Sequence, residues 1–338
     1  MKEVYPDIFQ ITVKGFLSRL RPEVNVFVIA GPNGLVFDAG FGTRGVGRFV
    51  VSEIKKIEKL YCDSGREFKL ERVMASHSHG DHYPGMVYLR EKLGLKIIVT
   101  DKIGESISHR KKYRRKYERH QADEWYTSYG FLRTFFRKGT VLIVRFLFHM
   151  FFGFKFITDP DIILSDTGSI TVNGATWQII PAPGHALDHI HLYQKEAGLM
   201  FVGDNVLRGV TPWLGPPESD LKEYLNSLEA ILNTDNLTML LCGHGSPVTE
   251  PYKRVTRLRR YRLDRVDDLY DIVSGSGTEG ITFNEMVDTV YMNESGFKKN
   301  LGSGWIAITL KHLEREGKIK WKFHGKKIRL YDAEEFKS

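Results

Sequence analysis

Seven residues, Ser76-His77-Ser78-His79-Gly80-Asp81-His82, constrain this chain more than any other stretch. They place three imidazoles and a carboxylate where an apolar run, Arg72-Val73-Met74-Ala75, gives way to a turn and then a helical pattern. Neutral imidazole nitrogen and carboxylate oxygen are the donors that suit zinc, iron or manganese. The change of backbone direction at Gly80 aims successive side chains at different ions. A histidine-rich turn by itself reads as a solvated loop. Here three further candidates follow, each beside glycine at the end of an apolar run: His185 in Pro183-Gly184-His185, Asp204 in Gly203-Asp204, and His244 in Gly243-His244-Gly245. Apolar strands ending in glycine-flanked ligands are what a site on one rim of a sheet requires.

The surrounding pattern supplies those strands. IFQITVK is followed by VNVFVIA and LVFDAG, the last two joined by Gly31-Pro32-Asn33-Gly34, which reads as a hairpin. A helix is expected from Gly45 to Tyr61, then the strand ERVMASHSH, the helix MVYLREKLG and the strand KIIVT. The N-terminus, MKEVYPDIFQITVKG, carries acidic residues and a proline where a signal peptide needs an apolar core, so it reads as a first strand. Residues from about 101 to 160 read as a helical insertion. It holds the basic run HRKKYRRKYERH, His109 to His120, and an aromatic stretch. Within that stretch Gly139 to Ile157 approaches the length of a bilayer span. Arg145, His149 and Lys155 interrupt it, which favours a buried or interfacial helix, with peripheral membrane contact through 129–156 the minor reading. Strand patterns resume with DIILSD, GSITVNG, TWQIIPAPGH, HIHLY and GLMFVGD, and a helix from Ser219 to Leu232 and the strand LTMLLCGHG follow.

The arrangement His77-Ser-His79-Gly-Asp81-His82, then His185, Asp204 and His244, resembles the HxHxDH signature and later motifs of the metallo-beta-lactamase superfamily, over about residues 1–250. The resemblance implies an α/β (α+β) fold, a four-layer αββα sandwich with a dinuclear site between its sheets. It implies that one ion is held by His77, His79 and His185, the other by Asp81, His82 and His244, with Asp204 bridging. Imidazoles leave net positive charge on the ions, and a shared carboxylate fixes a separation suited to a bridging hydroxide that attacks a carbonyl or phosphorus. Asp81 is assigned as ligand and proton handler. Two divalent ions are expected, zinc by default, with iron and manganese accommodated by the same donors. No cysteine stands at the Asp204 position, which argues against a beta-lactam-hydrolysing site. His189 reads equally as a core histidine or as one that orients a ligand, His191 as a strand histidine, and Cys242 as a small buried hydrophobe.

Beyond residue 250 a basic helical connector, 251–277, ends in Ser274-Gly275-Ser276-Gly277, which reads as a flexible joint. Residues 278–338 then run helix, helix, two strands. The segment GSGWIAITLKHLEREGKI resembles the winged-helix domain of a beta-lactamase-like subgroup whose members include thioester hydrolases and single-strand endoribonucleases. The favoured substrate is a small acyl compound, an ester, thioester or lactone, with the aromatic stretch 131–156 forming an apolar wall. RNA is the alternative, since Tyr113 and Tyr117 interleave with the basic run and Lys318, Lys320, Lys322, Lys326, Lys327 and Arg329 mark the expected wing. A non-enzymatic winged-helix regulator is the third reading. The formal charge of +8 admits an anionic partner without selecting one. Two cysteines, Cys62 and Cys242, outside any disulfide framework, point to a reducing, cytoplasmic setting.

Overall fold

The computed structural model of the chain describes residues 1–14, 23–113, 152–294, 296–325 and 327–336. The expectations for the basic run from residue 114, for most of the aromatic stretch and for Lys326 lie outside the described residues.

Two mixed sheets pack face to face and are flanked by helices. The first has seven strands in sequence order: β1 (Lys2–Tyr5), β2 (Ile8–Val13), β3 (Val24–Ile29), β4 (Gly34–Phe37), β5 (Leu70–Met74), β6 (Lys96–Thr100) and β7 (Ile162–Leu164). Strands β1 to β4 run antiparallel to their neighbours, and β4 to β7 are parallel. The N-terminal segment expected as one strand is two, because Asp7 turns the chain at φ 63° and sends β2 back along β1. Parallel pairing demands crossovers. These are α1 (Arg44–Asp63), α2 (Gly85–Leu93) and, after β6, α3 (Asp101–Ile107). In α1 the buried residues Val50, Ile54, Ile57 and Tyr61 recur at helical spacing, and this stripe faces the sheet.

The second sheet is ordered β12-β11-β10-β9-β8, from β8 (Ser169–Val172), β9 (Ala175–Pro181), β10 (Ile190–Gln194), β11 (Leu199–Gly203) and β12 (Met239–Cys242). Phe201 of β11 reaches across to the first sheet, its ring 5.1 Å from Phe27 and 4.8 Å from Phe37, while Trp177 of β9 lies 5.3 Å away. These four buried rings join the layers.

On the outer face of the second sheet lie α4 (Leu221–Leu232), capped by Asp220, and α5 (Pro251–Ser274). Behind them come β13 (Ile281–Thr282), α6 (Phe283–Val290), α7 (Gly296–Arg315), β14 (Ile319–His324) and β15 (Lys327–Asp332), the strands forming a sheet of order β13-β15-β14. Thr282 and Glu285 build a reciprocal cap at the start of α6. One apolar cluster runs from Met200, Val202 and Leu240 through Tyr224 and Leu258 to Ile306, Leu310 and Ile319, so the C-terminal elements share a core with the second sheet. The Ser274–Gly277 segment is tied to α5 by hydrogen bonds from the Gly275 and Ser276 amides to Asp271 and Val273 carbonyls. No helix among the described residues is long and apolar enough to cross a membrane.

Candidate metal centre

Every candidate ligand emerges where a strand ends on the same rim. The turn after β5 carries His77 to His82; the loop after β9 carries His185; β11 and β12 deliver Asp204 and His244. The structure brings all seven residues together. One donor atom each from His77, His79 and His185 lies within 4.8 Å of the others, and the same holds for Asp81, His82 and His244. A third group of that compactness, His77, His82 and Asp204, links the two. Two clusters are thus positioned to coordinate two metal ions.

Each imidazole is anchored through one nitrogen, with ring tautomers assigned from these contacts. His77 Nδ1 is 2.9 Å from Ser76 Oγ, His79 Nε2 donates to Glu218 Oε2 at 2.6 Å, and His82 Nδ1 donates to Asp38 Oδ2 at 2.9 Å. His185 Nδ1 donates to the Trp213 carbonyl at 2.9 Å, and His244 Nδ1 to the Glu23 carbonyl. The opposite nitrogens face inward. Nε2 of His77 and of His82, and Oδ1 of Asp204, are buried without a hydrogen-bond partner. Buried polar atoms are nearly always satisfied, so three orphans converging on one point mark a place for a cation. The residues fit a pair of divalent ions.

Charge in the cluster is divided to match. Burial opposes protonation of His82, but the carboxylates of Asp38, Asp204 and Asp81 overcome it and raise its pKa well above the usual value. The same contest, with Asp204 foremost, lifts His244 to about 9, its Nε2 lying 3.1 Å from Asp204 Oδ2. Burial opposes ionisation of Asp204, yet His244 and His82 hold its pKa well below the carboxylate range. Burial presses His185 down to about 4 and His77 well below normal, assisted by neighbouring histidines. For His79 burial is outweighed by Glu218, and the pKa rises. Asp81 stands 3.6 Å from His244 and 3.7 Å from His82 with its side chain partly open.

Asp38, Asn25 and Gln10, which the sequence did not single out, hold the site from behind. Asp38, buried at the end of β4, accepts from the Ser76 amide at 2.7 Å, from Ser76 Oγ at 3.1 Å and from His82. Asn25, buried in β3, donates from Nδ2 to the Cys242 and Gly245 carbonyls and from its amide to Gly243, so β3 grips the His244 loop on both sides. Gln10 supports it by donating to Asn25 Oδ1 at 2.8 Å and to the Gly245 carbonyl. His189 orients the loop through Nε2, which accepts the Asp204 amide at 3.1 Å, and His191 faces Asn205. Cys242 is buried, its thiol pushed up to about 12 by burial, and Sγ points to the Leu240 carbonyl. At Gly243 a Cβ would sit 2.3 Å from Asp204 Oδ1, so only glycine lets β12 pass the site.

The sequence pattern of the metallo-beta-lactamase superfamily matches residues 21–244, which span all seven of these positions. The chain belongs to the metallo-beta-lactamase superfamily. It is 27% identical over 157 residues to a beta-lactamase-like protein 2 homolog of Caenorhabditis elegans, covering 46% of this chain and 50% of that protein. It is 31% identical over 162 residues to an atrochrysone carboxyl ACP thioesterase of Aspergillus chevalieri, again 46% and 50%. The chain therefore spans about half the length of these curated relatives. A beta-lactamase domain protein from Burkholderia ambifaria superposes with a TM-score of 0.71 at 17% identity, covering 98% of this chain and 93% of the other, a likeness of fold. The two histidine and aspartate clusters lie within the matched residues and agree with that membership.

Proposed function

We propose that the chain hydrolyses a small ester, thioester or lactone, with His77, His79 and His185 holding one ion, Asp81, His82 and His244 the other, and Asp204 shared. The observation that carries this reading is the set of three orphaned donor atoms, on His77, His82 and Asp204, in the group that links the two ligand clusters. When bound, the two ions supply Lewis acidity toward a carbonyl oxygen and lower the pKa of the attacking water. The chain's own groups do the rest. Glu218, Asp38 and the carbonyls of Trp213 and Glu23 hold the imidazoles in one orientation. Asp81, ligand and partly open carboxylate, moves the proton between the water and the leaving group.

The thioester class is supported by the relative named as an ACP thioesterase. It is supported also by the engagement of the C-terminal lysines with the chain itself: Lys318 lies 5.6 Å from the Tyr270 ring, Lys320 5.5 Å from Phe336 and Lys322 5.1 Å from Tyr331. Residues 1–250 then form the catalytic unit, 251–277 its connector, and 278–338 a winged helix that buttresses the second sheet through α7. The setting in this reading is cytoplasmic, with Cys62 and Cys242 as free thiols. The test is turnover of zinc-loaded protein on a thioester and lactone panel and on single-stranded RNA, with a His79→Ala, Asp81→Ala double variant as control. Acyl hydrolysis lost in the variant, with RNA intact, is expected. RNA cleavage without acyl turnover transfers the site to an endoribonuclease, and inactivity on both with metal bound leaves a metal-sensing regulator.

A further inference from the structure

Beside the metal loop, on the outer face of the first sheet, α1 and α2 enclose a second cleft of about 640 Å³. Its floor is Gly42 and Pro84; its walls are Arg44 and Arg48 of α1, Tyr88, Glu91 and Lys92 of α2, and Lys155. Four cations thus meet one carboxylate. Among the described residues no acidic group is ion-paired with any of the four, whereas Lys56, Lys59 and Arg90 of the same two helices have such partners. Like charges gathered in a concavity raise the local concentration of anions. The aromatic wall is fixed: the Tyr88 ring packs so closely on Gly47 that a Cβ there would lie 2.4 Å from it. The start of α1 adds to the field, since Thr43 makes no side-chain cap and the first turn has no acidic residue.

Covalent geometry sets the cleft's relation to the metal centre. Pro84 follows His82 by two residues, so their Cα atoms are at most about 8 Å apart. The floor of the cleft and the metal loop are thus consecutive parts of one segment. The enclosed volume accommodates one nucleotide-sized group, within the roughly 300–1,000 Å³ of small-ligand sites, rather than a continuous track for a strand. Resting on the thioester reading above, we propose that this cleft binds the phosphorylated carrier of an acyl thioester, the arginines and lysines taking phosphate and Tyr88 stacking on a base.

Coenzyme A, which holds phosphates and no thioester to cleave, is the direct probe, titrated calorimetrically into the full zinc-loaded chain. Binding is expected, with unphosphorylated pantetheine at least about tenfold weaker and coenzyme A itself at least about tenfold weaker to an Arg44→Glu, Arg48→Glu variant, the loss of one charge-assisted hydrogen bond or more. Arg44 and Arg48 are exposed, so the variant keeps its melting temperature. Lys155→Glu, on a different segment, repeats the test. Absence of coenzyme A binding, equal affinity for pantetheine, unchanged affinity in both variants, or binding of single-stranded RNA in its place would each overturn the proposal. Coenzyme A binding without turnover of any thioester keeps the cleft and removes the hydrolytic reading; thioester turnover without coenzyme A binding does the reverse.

Discussion

Replacing Asp38 with asparagine isolates the part that a buried carboxylate plays behind the metal ligands. Asp38 sits at φ 60°, a conformation that asparagine tolerates, so the substitution changes charge and hydrogen bonding without imposing backbone strain. The carboxylate accepts three hydrogen bonds, from the Ser76 amide, Ser76 Oγ and His82 Nδ1. An amide offers one oxygen, and its NH2 group must face a donor, leaving at least one buried donor unmet at a cost of about 1–3 kcal/mol. The His82 ring loses both its orientation and its most influential carboxylate. Outer hydrogen-bond partners of metal ligands change affinity by about 10–100-fold. We therefore expect zinc affinity at the Asp81, His82 and His244 cluster to fall by that factor, with a smaller change at His77, His79 and His185. Competition with a chromophoric chelator, run from the metal-free chain, resolves the two affinities. Both affinities remaining within about twofold of wild type would show that Asp38 does not act on the ion through His82.

Asn25→Ala removes the side-chain donor to two loop carbonyls around His244 and should lower stability by on the order of 2–3 kcal/mol, read from urea midpoints, along with affinity for the second ion. Gly243→Ala places a methyl against Asp204 Oδ1 and should abolish binding of at least one ion, measured as metal content after dialysis. The protons on His244, with a pKa of about 9, and on His82, raised well above the usual value, must leave before an ion binds, so apparent zinc affinity should rise with pH up to at least 9 in calorimetric titrations. In the metal-free chain the sign is opposite. A pKa raised above the usual value of about 6.5 means that the His244–Asp204 pairing stabilises the fold fully below that pH and ceases to as pH passes 9. Phe201→Ala should cost about 3–5 kcal/mol in thermal or urea unfolding, since its ring joins both sheets.

The seven candidate ligands were readable as a group because their signal is local: each stands at or just after the end of an apolar run, close to glycine, in a residue type with few other reasons to be there. Asp38 had the same signal, since LVFDAG ends as LMFVGD does, but a lone carboxylate after a strand is also an ordinary turn residue. Gln10 and Asn25 interrupt apolar alternation in IFQITV and VNVFVI; their partners lie more than 200 residues away, a separation that no periodicity reveals. Glu218 likewise meets His79 only through the loop ahead of α4. Strand and helix positions follow from hydrophobic spacing, whereas the turn at Asp7 leaves no mark in it, since the runs on either side read as one strand. The shared core of the second sheet and the C-terminal elements was hidden for a different reason. Burial of Ile306, Leu310 and Ile319 against α4 and α5 depends on which faces meet, and each helix alone is compatible with an independent unit.

Seven residues on one rim are expected to hold two ions. Metal analysis of the chain by mass spectrometry, after zinc loading and gel filtration, tests it without assuming a substrate. About two zinc ions per chain are predicted, falling to about one in His244→Ala and again to about one in His185→Ala, with the fold intact by circular dichroism. Stoichiometry of one or less in the unaltered chain, or two retained in both variants, would contradict the account.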